Sequence, residues 1–245
     1  MSVTNLSSGT NIAEVADGIF RINTPLSIPG GEFSFNQYLI RDDMPLLFHT
    51  GLRKLFPAVR EAVESVMPVR ELRYIAFSHV EADECGALND WLAAAPESVP
   101  VCSQVAAMVS INDMADRNPT PLADGATLPL GRRSMKWLDA PHLPHGWETG
   151  YMMDTTSRTL MCGDLFTQGG GGKQAVTRDD ILEPSELFRQ RLDYFAHAPN
   201  SVDLIDKLAN ENPTTLACMH GSAWQGDGGA LLRALARRVQ DGSRG

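Results

Sequence analysis

No apolar run in the 245 residues approaches the roughly 20 needed to span a bilayer, so no membrane anchor is expected. Met1 to Thr10 is polar and lacks the apolar segment of a secretory signal. Cysteine is scarce: there are 4, none in a Cys-x-x-Cys pair. That usage fits reduced thiols of a cytoplasmic protein rather than a disulfide scaffold. Basic charge is in deficit, with 21 Lys and Arg against 30 Asp and Glu and a net charge of −9. A surface of that sign repels nucleic-acid phosphates. Gly169-Gly170-Gly171-Gly172-Lys173 lacks the spacing and the following Ser or Thr of a P-loop, and is expected as a mobile loop.

Apolar residues make up 43% of the chain, enough for a sizeable core. With no interior linker, one domain over 1–245 is expected. Ile12 to Ile22 and Ser34 to Ile40 alternate as strands do, separated by a turn at Pro29-Gly30-Gly31. Pro45 to His49, Tyr74 to Phe77 and Val99 to Ser103 read as further strands. So do Ser134 to Leu138, Thr149 to Asp154, Thr159 to Cys162 and Thr215 to Met219. Helical spacing occurs over Arg53 to Met67, Leu88 to Leu92, Gln104 to Ile111, Glu186 to Phe195, Val202 to Asn210 and Ala230 to Val239. Asn118 to Pro129 is expected as a surface loop. The pattern is α/β, with packed strands and helices outside them.

One passage stands apart. Ser78-His79-Val80-Glu81-Ala82-Asp83-Glu84-Cys85-Gly86 sets four metal-capable side chains in six positions, directly after a buried strand. His79, Glu81 and Asp83 alternate, so their ligating groups can converge on one small volume. Asp83 or Glu84 is also suited to cap the helix that follows. His142, His145, Asp164 and His220 come later, the last two after apolar strands. A lone His at a strand end is ordinarily a core or surface residue, and a lone Asp before a loop is ordinarily a turn residue. The coincidence is what counts, because the chain has only 6 histidines.

His79-x-Glu81-x-Asp83, then His145, Asp164 and His220, resemble the di-iron signature of the flavodiiron proteins of the metallo-β-lactamase superfamily. Phe35-Asn36-Gln37-Tyr38-Leu39-Ile40 and the stretch from Gly86 to Leu88 carry the resemblance further, and it runs from about Ala13 to Trp224. The spacing to Asp164 selects His145 over His142. The resemblance implies a four-layer αββα sandwich with metals at one edge between the sheets. One metal would be held by His79, Glu81 and His145, a second by Asp83 and His220, with Asp164 bridging both. Glu84 stands where the superfamily commonly has histidine, and no flavodoxin-like domain is expected after His220. Both features resemble the stand-alone oxygen-binding di-iron proteins, and imply no FMN on this chain. Phe35 stands where flavodiiron sites commonly have tyrosine.

Three histidines matched by three carboxylates, with Glu84 a possible fourth, move preference toward iron or manganese and away from zinc by donor hardness. Carboxylate charge also stabilises a +3 ion, so two iron ions are expected, with zinc or manganese as the alternatives. The implied function is binding of O₂, or of NO, for sensing or for reduction with an external electron donor or signalling partner. A homodimer is implied by the resemblance alone. The rival is a dinuclear zinc hydrolase attacking an ester, thioester or lactam. Behind the ligands, His49 and His142 are candidates to hydrogen-bond a ligating ring. Cys85, Cys162 and Cys218 are expected as small buried apolar groups. Trp147 and Trp224 are expected in the core, and His197 in a helix without a role.

Overall fold

The computed structural model describes residues 1–242. Its first sheet runs in chain order across eight strands: β1 (Ser2–Asn5), β2 (Thr10–Ala16), β3 (Ile19–Ile28), β4 (Gly31–Ile40), β5 (Leu46–Phe48), β6 (Tyr74–Ala76), β7 (Val99–Ser103) and β8 (Thr120–Leu122). The second has seven: β9 (Thr127–Pro129), β10 (Ser134–Asp139), β11 (Gly150–Asp154), β12 (Thr159–Met161), β13 (Val176–Thr177), β14 (Thr215–Ala217) and β15 (Ala223–Gln225), in the order β13-β15-β14-β12-β11-β10-β9. The expected four layers follow from alternation along these strands. In β4 and β5, Leu39 and Leu47 point to helices Phe56–Glu64 and Leu88–Ala94, whereas Tyr38, Ile40, Leu46 and Phe48 point between the sheets. In β12 and β14, Met161 and Ala217 face that same central core. Leu160 and Leu216 face the helices Ser201–Asn210 and Gly228–Gly242 instead. Three apolar layers therefore separate four layers of backbone.

Several boundaries differ from the sequence reading. Ile12 to Ile22 is a hairpin rather than one strand, because Gly18 at φ 64° turns the chain. The polar start forms β1, held by pairing to β2. The Gln104 helix continues to Met114 through a π-helical stretch at Ala107–Ile111. Within Asn118 to Pro129, β8 and β9 each find a partner strand that local pattern does not announce. The helix expected over Glu186 to Phe195 spans Leu182–Leu192 and ends at Asp193, whose φ is 49°. His197 therefore lies beyond it, in a loop, paired to Asp193 at 2.7 Å. Trp147 is 55% exposed, and so is not a core residue. No side chain of Asp83 or Glu84 caps a helix; both lie inside the short helix Ala82–Cys85.

One buried ionic knot ties the sheets together. Arg133, before β10, donates to Asp154 Oδ2 at 2.9 Å and lies 3.6 Å from Asp42 Oδ2, in the loop after β4. Neither carboxylate side chain is exposed. Replacing Arg133 with methionine leaves Asp154 without a cation among the described residues, and Asp42 with Arg132 alone, 3.3 Å away. A loss of ~3–5 kcal/mol is expected, read as a lower urea midpoint; an unchanged midpoint would show the knot to be dispensable.

Candidate metal centre

The centre is built at the ends of β4, β6, β12 and β14, where both sheets open to one edge. After β6 the chain leaves the sheet and is held on three sides. Glu148 Oε1 accepts from the Val80 amide at 2.9 Å, Gly150 donates to the Ser78 carbonyl at 2.9 Å, and Thr50 donates to the Glu84 carbonyl at 2.7 Å. Asp164 follows Gly163, whose φ is 48°. A Cβ there would lie 3.1 Å from Ser78 Oγ and from the Tyr151 ring, so glycine is needed on both counts. His220 follows β14, and Asn36 of β4 donates to the Cys218 carbonyl at 2.9 Å and the Gly221 carbonyl at 2.8 Å on either side of it.

These supports converge the side chains. Glu81 Oε2 lies 3.2 Å from His79 Nε2 and 3.0 Å from His145 Nε2, and the two ring nitrogens are 3.0 Å apart. Asp164 Oδ2 is 3.6 Å from His79 Nε2 and 3.5 Å from His145 Nε2. Its other oxygen, Oδ1, turns to His220 Nε2 at 3.2 Å, and that nitrogen lies 3.5 Å from Asp83 Oδ2. Asp83, Glu84 and His220 form one group with ligating atoms within 4.8 Å, and His79, Glu81, His145 and Asp164 form another. Asp164 is thus shared, one oxygen to each side. Donors about 2.1 Å from a common ion lie about 3.0–3.4 Å apart, so the spacing around Glu81 and Asp164 fits a cation.

The protonation of the centre says the same. Hydrogen bonds from His145 and His79 hold Glu81 down to about 2. Burial works against a charge on His145, yet the Glu81 hydrogen bond and the Asp164 charge push it up to about 9. Burial, and then the Asp164 and Asp83 charges, push Glu84 well above the usual carboxylate range. Neither Glu84 oxygen finds a hydrogen-bond donor among the described residues, although the side chain is fully buried. Such a group is costly unless something positive meets it, so the donor set fits a pair of cations.

Behind the ligating atoms each ring is fixed. His145 Nδ1 donates to the Tyr194 carbonyl and His220 Nδ1 to the Ser34 carbonyl, both at 2.9 Å. Nε2 is thereby directed at the cluster. His79 Nδ1 meets Ser78 Oγ at 2.9 Å, Ser78 Oγ meets His49 Nε2 at 3.0 Å, and His49 Nδ1 meets Met219 Sδ at 2.9 Å. Burial pushes His49 down to about 3, so it is neutral. Its Nδ1–H faces sulfur, its Nε2 accepts from Ser78, and Ser78 accepts from His79. Ser78 and Tyr194 were not singled out from sequence; only adjacency to His79 could have flagged Ser78. His142 is exposed and its side chain makes no hydrogen bond among the described residues, so it supports no ligand.

A cavity of about 280 Å³ opens above the centre. Its floor is Glu81, Asp83, His145, Asp164 and His220, and its walls are Ile28, Phe33, Phe188, Leu192 and Tyr194. Phe33 and Phe35 set their rings 4.4 and 5.4 Å from that of His220. The glycine-rich loop beside it is pinned, Gly170 donating to the Glu32 carbonyl and Gly172 accepting from Arg21, each at 2.9 Å. The expected free loop is therefore anchored at two points. Trp224 is partly buried, its Nε1 donating to the Asp179 carbonyl at 3.0 Å, away from the floor.

Two stacked sheets flanked by helices, with an imidazole and carboxylate cluster at one edge, define a metallo-β-lactamase-type protein of flavodiiron kind. The chain belongs to the family described as ODP family beta lactamase, whose pattern matches residues 33–221. Among characterised relatives, the nitric oxide reductase of Moorella thermoacetica is 25% identical over 214 residues, covering 83% of this chain and 53% of that protein. The anaerobic nitric oxide reductase flavorubredoxin of Pectobacterium atrosepticum is 28% identical over 214 residues, 81% of this chain and 40% of that one. The chain thus spans about half, or less, of the length of these relatives. A metal-soaked flavodiiron core from Synechocystis superposes with a TM-score of 0.81 at 21% identity, over 96% of this chain and 61% of that one. A diflavin flavoprotein fragment from Nostoc gives 0.78 at 17% identity, over 96% and 95%. These last two likenesses speak for the fold.

Proposed function

We propose that His79, Glu81 and His145 hold one iron ion and Asp83, Glu84 and His220 a second, with Asp164 bridging, in a protein that takes up O₂ or NO. The observation that carries this is the division of Asp164, one oxygen toward each trio. The relatives named nitric oxide reductase support the choice of gas. Three imidazoles and four carboxylates make a hard donor set, which suits iron better than zinc. Ferrous ions, when bound, supply one electron each. The protein's own part is to bind, orient and exclude. Apolar walls admit a small uncharged diatomic and give a larger polar substrate nothing to bind. The hydrogen bonds behind His79, His145 and His220 fix which nitrogen faces the ligand. Glu81, half exposed at the mouth, is the ligating group nearest solvent.

The proposal includes one domain, electrons supplied from outside the described residues, and two copies in the working assembly. A reducing compartment, the cytoplasm, suits four cysteines without a disulfide. No helix among the described residues is long and apolar enough to cross a membrane. Anaerobic iron loading followed by an oxygen pulse is expected to produce a new visible absorption band. No band at full iron occupancy would remove the proposal, and ester hydrolysis by a zinc-loaded sample would favour the hydrolase.

Two predictions concern metal uptake. Ser78→Ala or His49→Ala removes the prop behind His79, and affinity for the first ion is expected to fall by about 10–100-fold in competition with a chelator; unchanged affinity would deny the relay a role. The second concerns pH. In the metal-free protein His145 holds its proton up to about 9, and an ion must displace it. Affinity of the His79, Glu81 and His145 trio for its ion should rise with pH by about tenfold per unit for one proton and level off above that value. Calorimetric titration in buffers of different ionisation enthalpy counts the proton; pH-independent uptake contradicts the assignment.

A further inference from the structure

Cys162 and Cys218 stand side by side at the ends of two adjacent parallel strands. β12 and β14 pair Leu160 with Leu216 and Met161 with Ala217, so the next step in register sets one cysteine against the other. Their Sγ atoms are 3.7 Å apart and both side chains are wholly buried. Two residues further along, in the loops that leave the two strands, lie Asp164 and His220. The pair packs among apolar groups on the helix side of the sheet, with Leu165 and Leu232. Bulky cellular thiols have no path to such a place, whereas electrons leaving it have two short covalent paths to the metal centre.

We propose that Cys162 and Cys218 form a two-electron store for that centre. The dithiol is oxidised to a disulfide as dioxygen is reduced, and the external electron donor of the proposed function returns two electrons through the centre, with two protons from solvent, to restore the dithiol. The inference rests on the reading of the centre as an oxygen-reactive iron pair. When the S–S bond forms, two S–H bonds break, and two electrons and two protons are released. Dioxygen is the oxidant, and its conversion to two waters takes four electrons and four protons. Two electrons come from the thiols and one from each of two ferrous ions; two protons come from the thiols and two from solvent. Without the thiols, two ferrous ions have electrons for hydrogen peroxide only. Closing 3.7 Å to an S–S bond of about 2.05 Å needs a side-chain shift, with the strands already adjacent.

The test uses the full chain, reduced, iron-loaded without oxygen and then given one equivalent of dioxygen. Free thiols are counted after denaturation, linked peptides are mapped by mass spectrometry, and released hydrogen peroxide is measured. The expected result is loss of two of the 4 thiols, a link between Cys162 and Cys218, and peroxide well below the oxygen consumed. C162A/C218A should release about one peroxide per dioxygen. Because that variant empties part of a core, C85A/C102A, which keeps the pair and empties a comparable volume in the core of the other sheet, serves as the second: it should form the same link. Oxygen consumed with all thiols intact, or a link elsewhere, overturns the inference while leaving the iron reading in place. No oxygen uptake at full iron loading overturns both.

Discussion

Asp164→Ala is expected to abolish stable binding of both ions while leaving the fold intact. Each oxygen of the side chain serves a different trio: Oδ2 lies 3.6 Å from His79 Nε2 and 3.5 Å from His145 Nε2, and Oδ1 lies 3.2 Å from His220 Nε2. Despite its burial, those three rings hold the carboxyl far below its usual range, His220 foremost. Losing it removes a shared ligand, so affinity should fall by more than the roughly 100-fold that loss of a partner behind a ligand costs. The fold should survive because the backbone carbonyl, not the side chain, makes the other bonds. It accepts from Thr167 Oγ1 at 2.7 Å and Tyr194 Oη at 3.2 Å. Iron per chain is expected to drop from about two to well below one, with an unchanged far-ultraviolet circular dichroism spectrum. Retention of both ions would break the bridging assignment.

Glu84→Gln is expected to act with opposite sign on the two forms of the protein. With metal, it removes a ligand of the second ion, and occupancy should fall toward about one iron per chain. Without metal, it removes a buried carboxyl whose oxygens meet no donor. Burial and the charges of Asp164 and Asp83 raise that carboxyl well above its unfolded value. The folded state then holds a proton that the unfolded state has released. Its stability accordingly falls as pH rises through and beyond the unfolded pKa. Glutamine carries no such proton. The metal-free variant should be more stable than the parent by ~1–3 kcal/mol at mildly alkaline pH, with the gain shrinking as pH falls toward that of an ordinary carboxyl. Urea unfolding of both metal-free proteins at two pH values reads this directly. A variant less stable at every pH would show that Glu84 is satisfied by something other than a cation.

The four layers and the neighbourhood of the centre were legible in sequence for different reasons. His79, Glu81 and Asp83 sit within five positions after a buried strand, so local geometry alone forces them together. Asp164 and His220 follow apolar strands, and such strands end at a common rim. His145 lies in a loop with no periodicity, and only its spacing to Asp164 separated it from His142. The structure draws that separation physically: one ring meets Glu81 and the Tyr194 carbonyl, the other points to solvent. What sequence did not give depends on contacts between distant segments. β1 and β8 are strands because a neighbour pairs with them. The walls Phe33 and Phe188 stack at 5.5 Å across 155 positions, from a hairpin and a helix that carry no shared pattern. Trp147 reads as core by its size, yet a loop carries it into solvent.

The central claim is that seven side chains gather two iron ions. Anomalous diffraction at the iron edge, from crystals grown with ferrous iron in the absence of oxygen, tests it most directly. Two peaks are predicted, one among His79, Glu81 and His145 and one among Asp83, Glu84 and His220, with the Asp164 carboxylate between them. A single peak, or iron bound away from these residues with the cluster unfilled, would contradict it.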